Sequence, residues 1–506
     1  MSSYKLETFD FLSLIFDLLS MKLRPYQQEI AKAVIDSVLH GKGLTLSVEI
    51  ARQGGKNELS AHLEVLLLTL YMARGENLIK CSPTFKPQTI ISIQRLKERL
   101  DEFGFDGIYQ TQMGYIIQLG SARAIFLSAE ESSSVVGHTV DILLEIDESQ
   151  DVSKEKYTKE FRPMGSSSNV TTIHYGTTWD DTTLLEETKQ TNIELEKKDG
   201  IKRHFRYDWQ EVGRYNPAYL KFVQAERDRL GENHPLFRTQ YALLPISGSG
   251  HFLSREQIAA ILGKHPRLSQ PQPGRIYLAG IDLAGEPSPF KGEGRVRDST
   301  VITIAELSFA CHPPIPCQIR GVEERASFPI VPCQIRGVEG RAAFPPLTSP
   351  EPFLNVVEHY QWTGTPHSQL YPQMVHILKN VWNCHRIVVD ATGIGQPTAS
   401  FLRQELGSKV IPFTFSEKSK SELGFELLAF INSVRLKLYQ SDSSPQYQEF
   451  IFELEHARAQ YRPNQTMNFH VAPSQGHDDF LVSLALVVKA ARDFHPRQAK
   501  GRLSPA

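Results

Sequence analysis

The sequence predicts an α/β protein with two domains, and three observations lead to this fold class. At 506 residues the chain is longer than a single hydrophobic core usually serves. Short apolar runs alternate with helical patterns, which is typical of parallel sheets covered by helices. A stretch rich in proline and glycine interrupts this alternation. We therefore expect a first domain over residues 1–244, a linker over 245–274 and a second domain over 275–506.

The composition is that of an ordinary soluble globular protein, with 41% hydrophobic and 22% charged residues. With 55 Lys and Arg against 57 Asp and Glu, the net charge of −2 argues against coating nucleic acid by bulk charge but allows a local basic groove. The five cysteines fit neither a CxxC metal site nor a disulfide framework, which indicates a reducing cytosol. The apolar run at residues 11–16 is short and is broken by Asp17, so we expect no signal peptide and no membrane span.

Five apolar runs predict the strands of the first domain, and their carboxyl ends are where ligands gather in such sheets. These runs are residues 44–48, 78–82, 124–128, 142–146 and 170–175. The first run leads into EIARQGGKNE, residues 49–58, and a helical pattern follows at 59–71. Glycines, a lysine and a helix N-terminus together can bind phosphate. The P-loop pattern is imperfect, because Ile50 replaces a glycine and Asn57 replaces a hydroxyl residue, and an ordinary turn is the alternative.

A second strand of this domain, residues 142–146, ends in two acids. Asp147 is placed to hold Mg²⁺ through water, and Glu148 to orient or deprotonate an attacking water. A buried strand followed by an acidic helix cap is the alternative for this motif alone. Together with the glycine-lysine turn, the two acids predict a site for ATP and Mg²⁺.

Further residues of the first domain are candidates for nucleotide contacts. Asn57 would stand near Mg²⁺ in place of the usual hydroxyl, and Arg52 can reach a γ-phosphate. Gln27 could place its amide against adenine, although a capped helix start is the alternative there. Thr177 ends another strand and could sense the γ-phosphate, with a plain turn as the alternative. The remaining candidates for the phosphate cradle are Gln53, Gly54, Gly55 and Lys56.

The second domain repeats the α/β pattern, with strands predicted at residues 276–282, 300–307, 354–360 and 386–390. Between the second and third strands, PCQIRGVE occurs twice, beginning at Pro316 and at Pro332. Two copies are too few for a solenoid, and hairpin loops are normally short. We therefore expect a solvated, disordered insertion at residues 308–352.

Acidic residues lie at the ends of elements in the second domain. Asp282 and Asp390 each end a predicted strand, and Asp478 and Asp479 precede a helical pattern at 480–491. A single strand-end aspartate is usually a turn former, and Asp478 has the alternative role of helix cap. Taken together, these acids predict a metal site for two Mg²⁺ or Mn²⁺ ions that hydrolyses phosphodiesters, with Asp479 favoured over Asp478 as a direct ligand.

In this order, the motifs resemble those of the large terminase subunit of tailed bacteriophages. The matching segments are 51–57 as a deviant Walker A motif, 142–148 as Walker B, 176–178 as the coupling motif, and then Asp282, 390–393 and 476–479 as nuclease motifs. The resemblance implies an ASCE-type P-loop ATPase fold followed by an RNase H-like nuclease fold. The duplicated insertion departs from the family pattern.

The resemblance also implies an activity and partners. The protein would use ATP to move double-stranded viral DNA into a procapsid and would cut concatemeric DNA, with Glu148, Asp282, Asp390 and Asp479 as catalytic residues. Its partners would be DNA, the portal protein and the small terminase subunit, in a ring oligomer on the procapsid within the bacterial cytoplasm. Two alternatives remain: a helicase-like DNA translocase of repair, which should have a second RecA-like domain, and an inactive prophage remnant that binds DNA without turnover.

Overall fold

A computed structural model describes most of the chain and divides it into two compact units. The described residues are 23–133, 135, 137–246, 249–284, 299–309, 351–393, 395–462, 464–473 and 475–494. The first unit comprises the described residues up to 258, together with 415–433 and 452–478, and the second comprises 259–414, 434–451 and the residues from 479 onwards. The domain limits expected from the sequence, 1–244, 245–274 and 275–506, stay a prediction. Of the predicted insertion 308–352, residues 310–350 lie outside the described residues.

An eight-stranded sheet forms the centre of the first unit. Its strands are β1 (Thr45–Ile50), β2 (Asn77–Ser82), β3 (Gln110–Gln112), β4 (Ile116–Leu119), β5 (Ala122–Ser128), β6 (Leu143–Ile146), β7 (Thr171–Gly176) and β8 (His204–Tyr207). They lie in the order β3-β4-β5-β2-β6-β7-β1-β8. The six strands from β5 to β8 in this order pair in parallel, whereas β3 and β4 pair antiparallel. Most residues of the parallel strands are buried, as expected for a sheet covered on both faces.

Helices and short helical turns connect and cover these strands. The α-helices are Pro25–Leu39, Lys56–Tyr71, Ile90–Glu102, Lys154–Lys156, Leu184–Asp199, Trp209–Arg214, Pro217–Leu230, Pro235–Gln240 and Arg255–Ile261, the last of which runs into the second unit. Short 3-10 and π-helical turns occupy Phe85–Thr89, Ser149–Asp151, Tyr157–Phe161 and Arg162–Gly165. Aliphatic side chains from β1 and from the helices Pro25–Leu39 and Lys56–Tyr71 share one buried core. This core fixes the position of the residues at the end of β1.

A small antiparallel sheet also belongs to the first unit. It consists of β9 (Ser249–His251), β16 (Ala457–Tyr461) and β17 (Met467–Val471), in the order β17-β16-β9. The helix Glu417–Asn432 packs on β17, where Gly424 leaves room for the side chains of Met467 and Phe469. Late segments of the chain therefore complete the unit that contains β1 to β8.

A six-stranded mixed sheet forms the second unit. Its strands are β10 (Ile276–Asp282), β11 (Ser299–Phe309), β12 (Pro352–Thr363), β13 (Arg386–Asp390), β14 (Val410–Phe413) and β15 (Leu436–Lys437), in the order β14-β13-β10-β11-β12-β15. The strands β10, β11 and β12 form an antiparallel meander, and β13 and β14 add in parallel beside β10. The accompanying helical segments are His367–Val375, His376–Val381, Gly395–Leu406, Gly407–Lys409 and Asp479–Arg492, and the helix Pro445–His456 contributes residues to both units.

The predicted fold class is confirmed. In the first unit β7 lies between β1 and β6, which is the strand order of the ASCE-type P-loop fold, and the order of the second sheet is that of the RNase H-like fold. All nine strands predicted from apolar runs are present, with limits within about three residues of those expected. The strands β3, β4, β8, β9 and β14 to β17 were missed, because each has only two to five residues and gives no clear apolar run. No helix in the described ranges is both long and apolar enough to cross a membrane.

Gly280 packs tightly against a helix of the second unit, and it supports a first prediction. A Cβ atom at this position would lie 2.1 Å from the Ser483 carbonyl oxygen and 2.4 Å from the Val487 nitrogen, both backbone atoms of the helix Asp479–Arg492. We expect Gly280→Ala to destabilise the protein by about 1–3 kcal/mol, because neither atom can move without shifting the helix. Chemical denaturation measures this. Gly75→Ala is the control, since a Cβ there meets nothing within 4 Å, and equal stability of the two variants would contradict the packing argument.

Candidate functional site

The carboxyl edge of the parallel sheet in the first unit forms a cavity of about 540 Å³. Most of its walls are polar. The lining residues are Arg52, Gln53, Gly54, Gly55, Lys56, Asn57, Glu58, Arg95, Glu148, Gln150, Asp151, Thr177, Gln240 and Gln465. The structure therefore gathers, around one cavity, the predicted phosphate loop, the acid Glu148 from the end of β6 and Thr177 from the end of β7.

The loop between β1 and the helix Lys56–Tyr71 depends on its two glycines. Gly55 has a φ of 96°, a left-handed conformation that side chains rarely adopt. A Cβ on Gly54 would lie 2.4 Å from Ile50 Cγ2 and 2.7 Å from the Ala51 carbonyl oxygen. The loop therefore curls tightly enough to bring the N-terminus of the helix to the cavity, where its N–H groups favour an anion.

The helix Pro25–Leu39 holds this loop from outside. The Tyr26 hydroxyl donates to the Gly54 carbonyl at 2.6 Å, and Gln27 Nε2 donates to the Gly55 carbonyl at 2.9 Å. Gln27 Oε1 accepts from the Arg24 backbone N–H at 2.8 Å, so the capped helix start is present. The amide of Gln27 is thus bound to the loop and to its own helix, and its contact with adenine stays a prediction.

An ion pair crosses the cavity between the loop and the end of β6. Lys56 Nζ lies 2.9 Å from Glu148 Oε1, and Gln150 Nε2 donates to Glu148 Oε2 at 2.7 Å. Burial alone would raise the pKa of Glu148, but the Lys56 ammonium and the bond from Gln150 lower that pKa below its ordinary value. Glu148 is therefore an ionised carboxylate at neutral pH. Its backbone has a φ of 45°, a strained conformation of the kind that collects at functional sites.

Gln150 connects the two predicted motifs, and the sequence analysis missed it. This side chain is only 4% exposed. Its Oε1 accepts the Thr177 backbone N–H at 3.3 Å, while its Nε2 binds Glu148. A Cβ on Gly176 would lie 2.1 Å from Gln150 Oε1, so the glycine provides the space that Gln150 occupies. In the sequence, only its position two residues after Glu148 could have marked Gln150 as a candidate site residue.

Asp147, Asn57 and Arg52 lie at or beside the same cavity. Asp147 is buried behind Glu148 and its Oδ1 accepts the Glu148 N–H at 3.0 Å. Burial raises the pKa of Asp147, and the positive charge of Lys80 opposes this shift. Asn57 is the second residue of the helix Lys56–Tyr71. The Arg52 guanidinium donates to Gln240 Oε1 at 2.7 Å, so it contacts the cavity wall.

Gln465 reaches this cavity from the late part of the first unit. It lies in the turn between β16 and β17, and its Nε2 donates to Asp151 Oδ1 at 2.9 Å and to Asp151 Oδ2 at 3.2 Å. More than 300 residues separate the two in sequence. No local pattern could identify Gln465, because its place at the cavity depends on the packing of the small sheet.

In the second unit the structure brings two of the predicted acids side by side. The strands β10 and β13 are parallel neighbours with Ile281 opposite Val389, so Asp282 and Asp390 end adjacent strands at matching positions. Adjacent strands lie about 4.8 Å apart. Both side chains are partly exposed. Burial raises the pKa of Asp390, and hydrogen bonds from Thr392 oppose this.

The third predicted acid, Asp479, is the first residue of its helix, which places Asp478 at the capping position. Asp479 Oδ2 accepts the Ser299 backbone N–H at 2.7 Å, two residues before Val301, the β11 partner of Asp282. Within the described ranges no three Asp, Glu, His or Cys side chains are close enough to form a metal site. The hard oxygen donors of Asp282 and Asp390 suit Mg²⁺ or Mn²⁺, and the contribution of Asp478 or Asp479 stays a prediction.

No family model and no curated protein matches the sequence. Solved structures do resemble it. The large terminase of a thermophilic bacteriophage, in complex with ADP, is 11% identical with a TM-score of 0.48, covering 93% of this chain and 100% of that chain. The HK97 bacteriophage large terminase is 15% identical with a TM-score of 0.37, covering 93% and 95%. The magnesium-bound large terminase nuclease from the thermophilic phage G20c is 15% identical with a TM-score of 0.31, covering 47% and 96%. The chain resembles phage large terminases.

The ion pair in the cavity yields a second prediction. Lys56→Met leaves the partly buried Glu148 carboxylate without its cation, and Glu148→Gln leaves the buried Lys56 ammonium without its anion. We expect the double variant to be less destabilised than the sum of the two single variants, with a coupling energy of about 0.5–3 kcal/mol. Unfolding free energies of the four proteins measure this coupling. Additive effects would contradict a direct interaction between the two charges.

Proposed function

We propose that this chain is the large terminase subunit of a tailed bacteriophage, which couples ATP hydrolysis to the movement of viral DNA and also cuts that DNA. One observation carries the proposal: two constellations of different chemistry lie in one chain, each at the carboxyl edge of its own sheet. Lys56, Glu148 and Thr177 meet at the first edge, and Asp282 and Asp390 meet at the second. A repair translocase with two RecA-like domains would not need the second set.

We propose that the first site binds ATP with Mg²⁺. The left-handed Gly55 and the crowded Gly54 let the loop backbone approach phosphate oxygens closely. Lys56 would supply the positive charge, and Asp147 and Asn57 would provide oxygen ligands for the metal. When bound, Mg²⁺ would neutralise charge on the phosphates.

The ion pair between Lys56 and Glu148 suggests how hydrolysis begins. The single ammonium of Lys56 can pair closely with either the Glu148 carboxylate or a phosphate oxygen. We propose that the triphosphate takes Lys56 away from Glu148, which leaves the ionised carboxylate to orient and deprotonate a water. That water attacks the γ-phosphorus, the terminal phosphoanhydride bond breaks and ADP leaves. A shift of the Glu148 carboxylate would move Gln150 and, through their hydrogen bond, the backbone of Thr177.

We propose that Asp282 and Asp390 hold Mg²⁺ or Mn²⁺ and, with Asp479 or Asp478, cleave phosphodiester bonds. A divalent ion would supply Lewis acidity and an activated water, and two ions suit this chemistry best. The strand register provides the two adjacent carboxylates, which would repel one another without a cation. We further propose double-stranded DNA, a portal protein and a small terminase subunit as partners, in a ring docked on the procapsid within the host cytoplasm.

A third prediction tests the ATPase site. We expect Lys56→Ala and Glu148→Gln each to abolish ATP hydrolysis by the full chain, because each loss costs several kcal/mol of transition-state stabilisation. Lys32→Ala, on the exposed face of the helix Pro25–Leu39, is the control and should keep the normal rate. Metal-dependent plasmid cleavage should persist in all three variants. Normal ATP hydrolysis by Lys56→Ala would refute the assignment of this site.

A fourth prediction tests the nuclease site. Asp282→Ala and Asp390→Ala should each remove plasmid cleavage in Mg²⁺ or Mn²⁺, retain ATP hydrolysis, and raise the melting temperature in metal-free buffer, because repulsion is relieved. Glu405→Ala, exposed on the helix Gly395–Leu406, is the control and should cut normally. Absence of cleavage by the unaltered chain would refute the nuclease assignment, and absence of both cleavage and ATP hydrolysis would favour an inactive prophage remnant.

A further inference from the structure

A row of buried polar side chains runs along the helix that begins at the phosphate loop. Lys56, Ser60 and Glu64 are spaced four residues apart and are 9%, 1% and 0% exposed. Residues at this spacing lie on one face of an α-helix. Only Lys56, at the start of the row, lines the cavity. Ser60 and Glu64 lie one and two turns further from the cavity, and the proposed chemistry does not use them.

This polar row contacts the strand that ends in Asp147 and Glu148, and Lys80 completes the contact. Lys80 lies on β2, where it pairs in register with Glu145 of β6. Its Nζ donates to Ser60 Oγ at 2.8 Å and to Glu64 Oε1 at 3.2 Å, and it lies 3.9 Å from Glu145 Oε2. Ser60 Oγ also donates to Glu145. Four side chains from one helix and two strands thus form a single buried cluster.

The cluster holds one ammonium between two carboxylates in a fully buried place. Lys80 is 2% exposed, and both Glu64 and Glu145 are 0% exposed. Burial opposes a charge on Lys80, but the two glutamates outweigh it and hold the pKa of Lys80 above its ordinary value. Loss of the ammonium would leave two buried acidic side chains without the cation that they share, an arrangement that is costly in a low-dielectric interior. The helix and the strand would then separate or shift.

We propose that Lys80 is a positioning residue for ATP hydrolysis: it ties the helix that carries Lys56 to the strand that carries the two acids. The inference rests on the proposed ATPase function. Asp147 follows β6 directly, two residues after Glu145, and its backbone N–H donates to the Cys81 carbonyl of β2 at 2.8 Å. Holding Glu145 against Ser60 and Glu64 therefore sets the distance between the two halves of the phosphate and metal site.

The test uses the full chain and separates positioning from general stability. Lys80→Met keeps the apolar volume but removes the ammonium. Because misplacement of reacting groups by about 1 Å costs up to about a hundredfold in rate, we expect kcat to fall about tenfold or more. The KM for ATP should change by less than about threefold, since the loop and Lys56 remain. The Mg²⁺ concentration for half-maximal activity should rise.

Two further variants make the result specific. Lys80→Met combined with Glu145→Gln should recover kcat about fivefold over Lys80→Met alone, because one of the two unpartnered acids is gone and the new amide can donate to Ser60 or Glu64. Lys189→Met is the matched control. Lys189 is also a mostly buried lysine of the first unit, 12% exposed and paired with Glu49 and Glu186, but it is not part of this cluster. It should lower the melting temperature without lowering kcat.

Glu64→Gln provides a second test of the proposal in case the Lys80 variant does not fold. It removes the charged contact of the helix with Lys80 and leaves Lys80 paired with Glu145 and bonded to Ser60, so it should fold and lower kcat about fivefold or more. If the unaltered chain hydrolyses ATP while Lys80→Met and Glu64→Gln keep kcat within about twofold of it, the positioning role is refuted. A loss of kcat in Lys189→Met equal to that in Lys80→Met would also refute it. If the unaltered chain does not hydrolyse ATP, the proposed function itself fails.

Discussion

The parallel pairing of β1, β7 and β6 is the constraint on which the rest of this structure depends. Parallel neighbours end at the same edge of a sheet, so a loop after β1, a threonine after β7 and two acids after β6 are brought together without any sequence proximity. The order of the three strands places β7 between β1 and β6, so Thr177 lies at the same edge as Lys56 and Glu148. Gln150 can bind both Glu148 and Thr177 because of this order.

The same principle organises the second unit with different chemistry. There β10 and β13 are the parallel neighbours, and the groups at their ends are two carboxylates instead of a loop and an acid. Adjacent carboxylates repel each other unless a cation lies between them. In the function that we propose, an anionic substrate displaces one partner of the lysine–glutamate pair at the first edge, and a metal binds the carboxylates at the second. Strand order sets the distances, and residue type sets the chemistry.

Buried polar side chains in the first unit require a particular arrangement of the helix and strands around them. Charged residues such as Lys80 and Glu145 lie in the core, at positions where a purely structural sheet would have aliphatic residues. Breaking a buried ion pair is costly even where the intact pair adds little net stability, so the cluster disfavours other arrangements of this helix and strand. This property supports the positioning role that we propose for Lys80.

Much of the fold could be predicted because its signals are local. Apolar runs identified nine strands, since burial of a parallel strand requires a continuous apolar segment. The pairs Gly54 with Lys56 and Asp147 with Glu148 were recognisable because each has a distinctive composition at a strand end. Short strands with exposed polar residues, such as β8, carry no such signal and were missed.

The sequence by itself determined where the strands end and which chemical groups stand at those ends, because both follow from hydrophobic pattern and residue type. Only the tertiary structure decided which ends become neighbours, that Gln27 binds the loop carbonyl, and that Gln465 reaches Asp151 from a late segment of the chain. Lys80 is likewise an unremarkable residue in the sequence and acquires its two glutamates only through strand pairing and helix packing. The physical reason is that local propensity acts over a few residues, whereas strand order and side-chain packing depend on the burial of surfaces contributed by the whole unit.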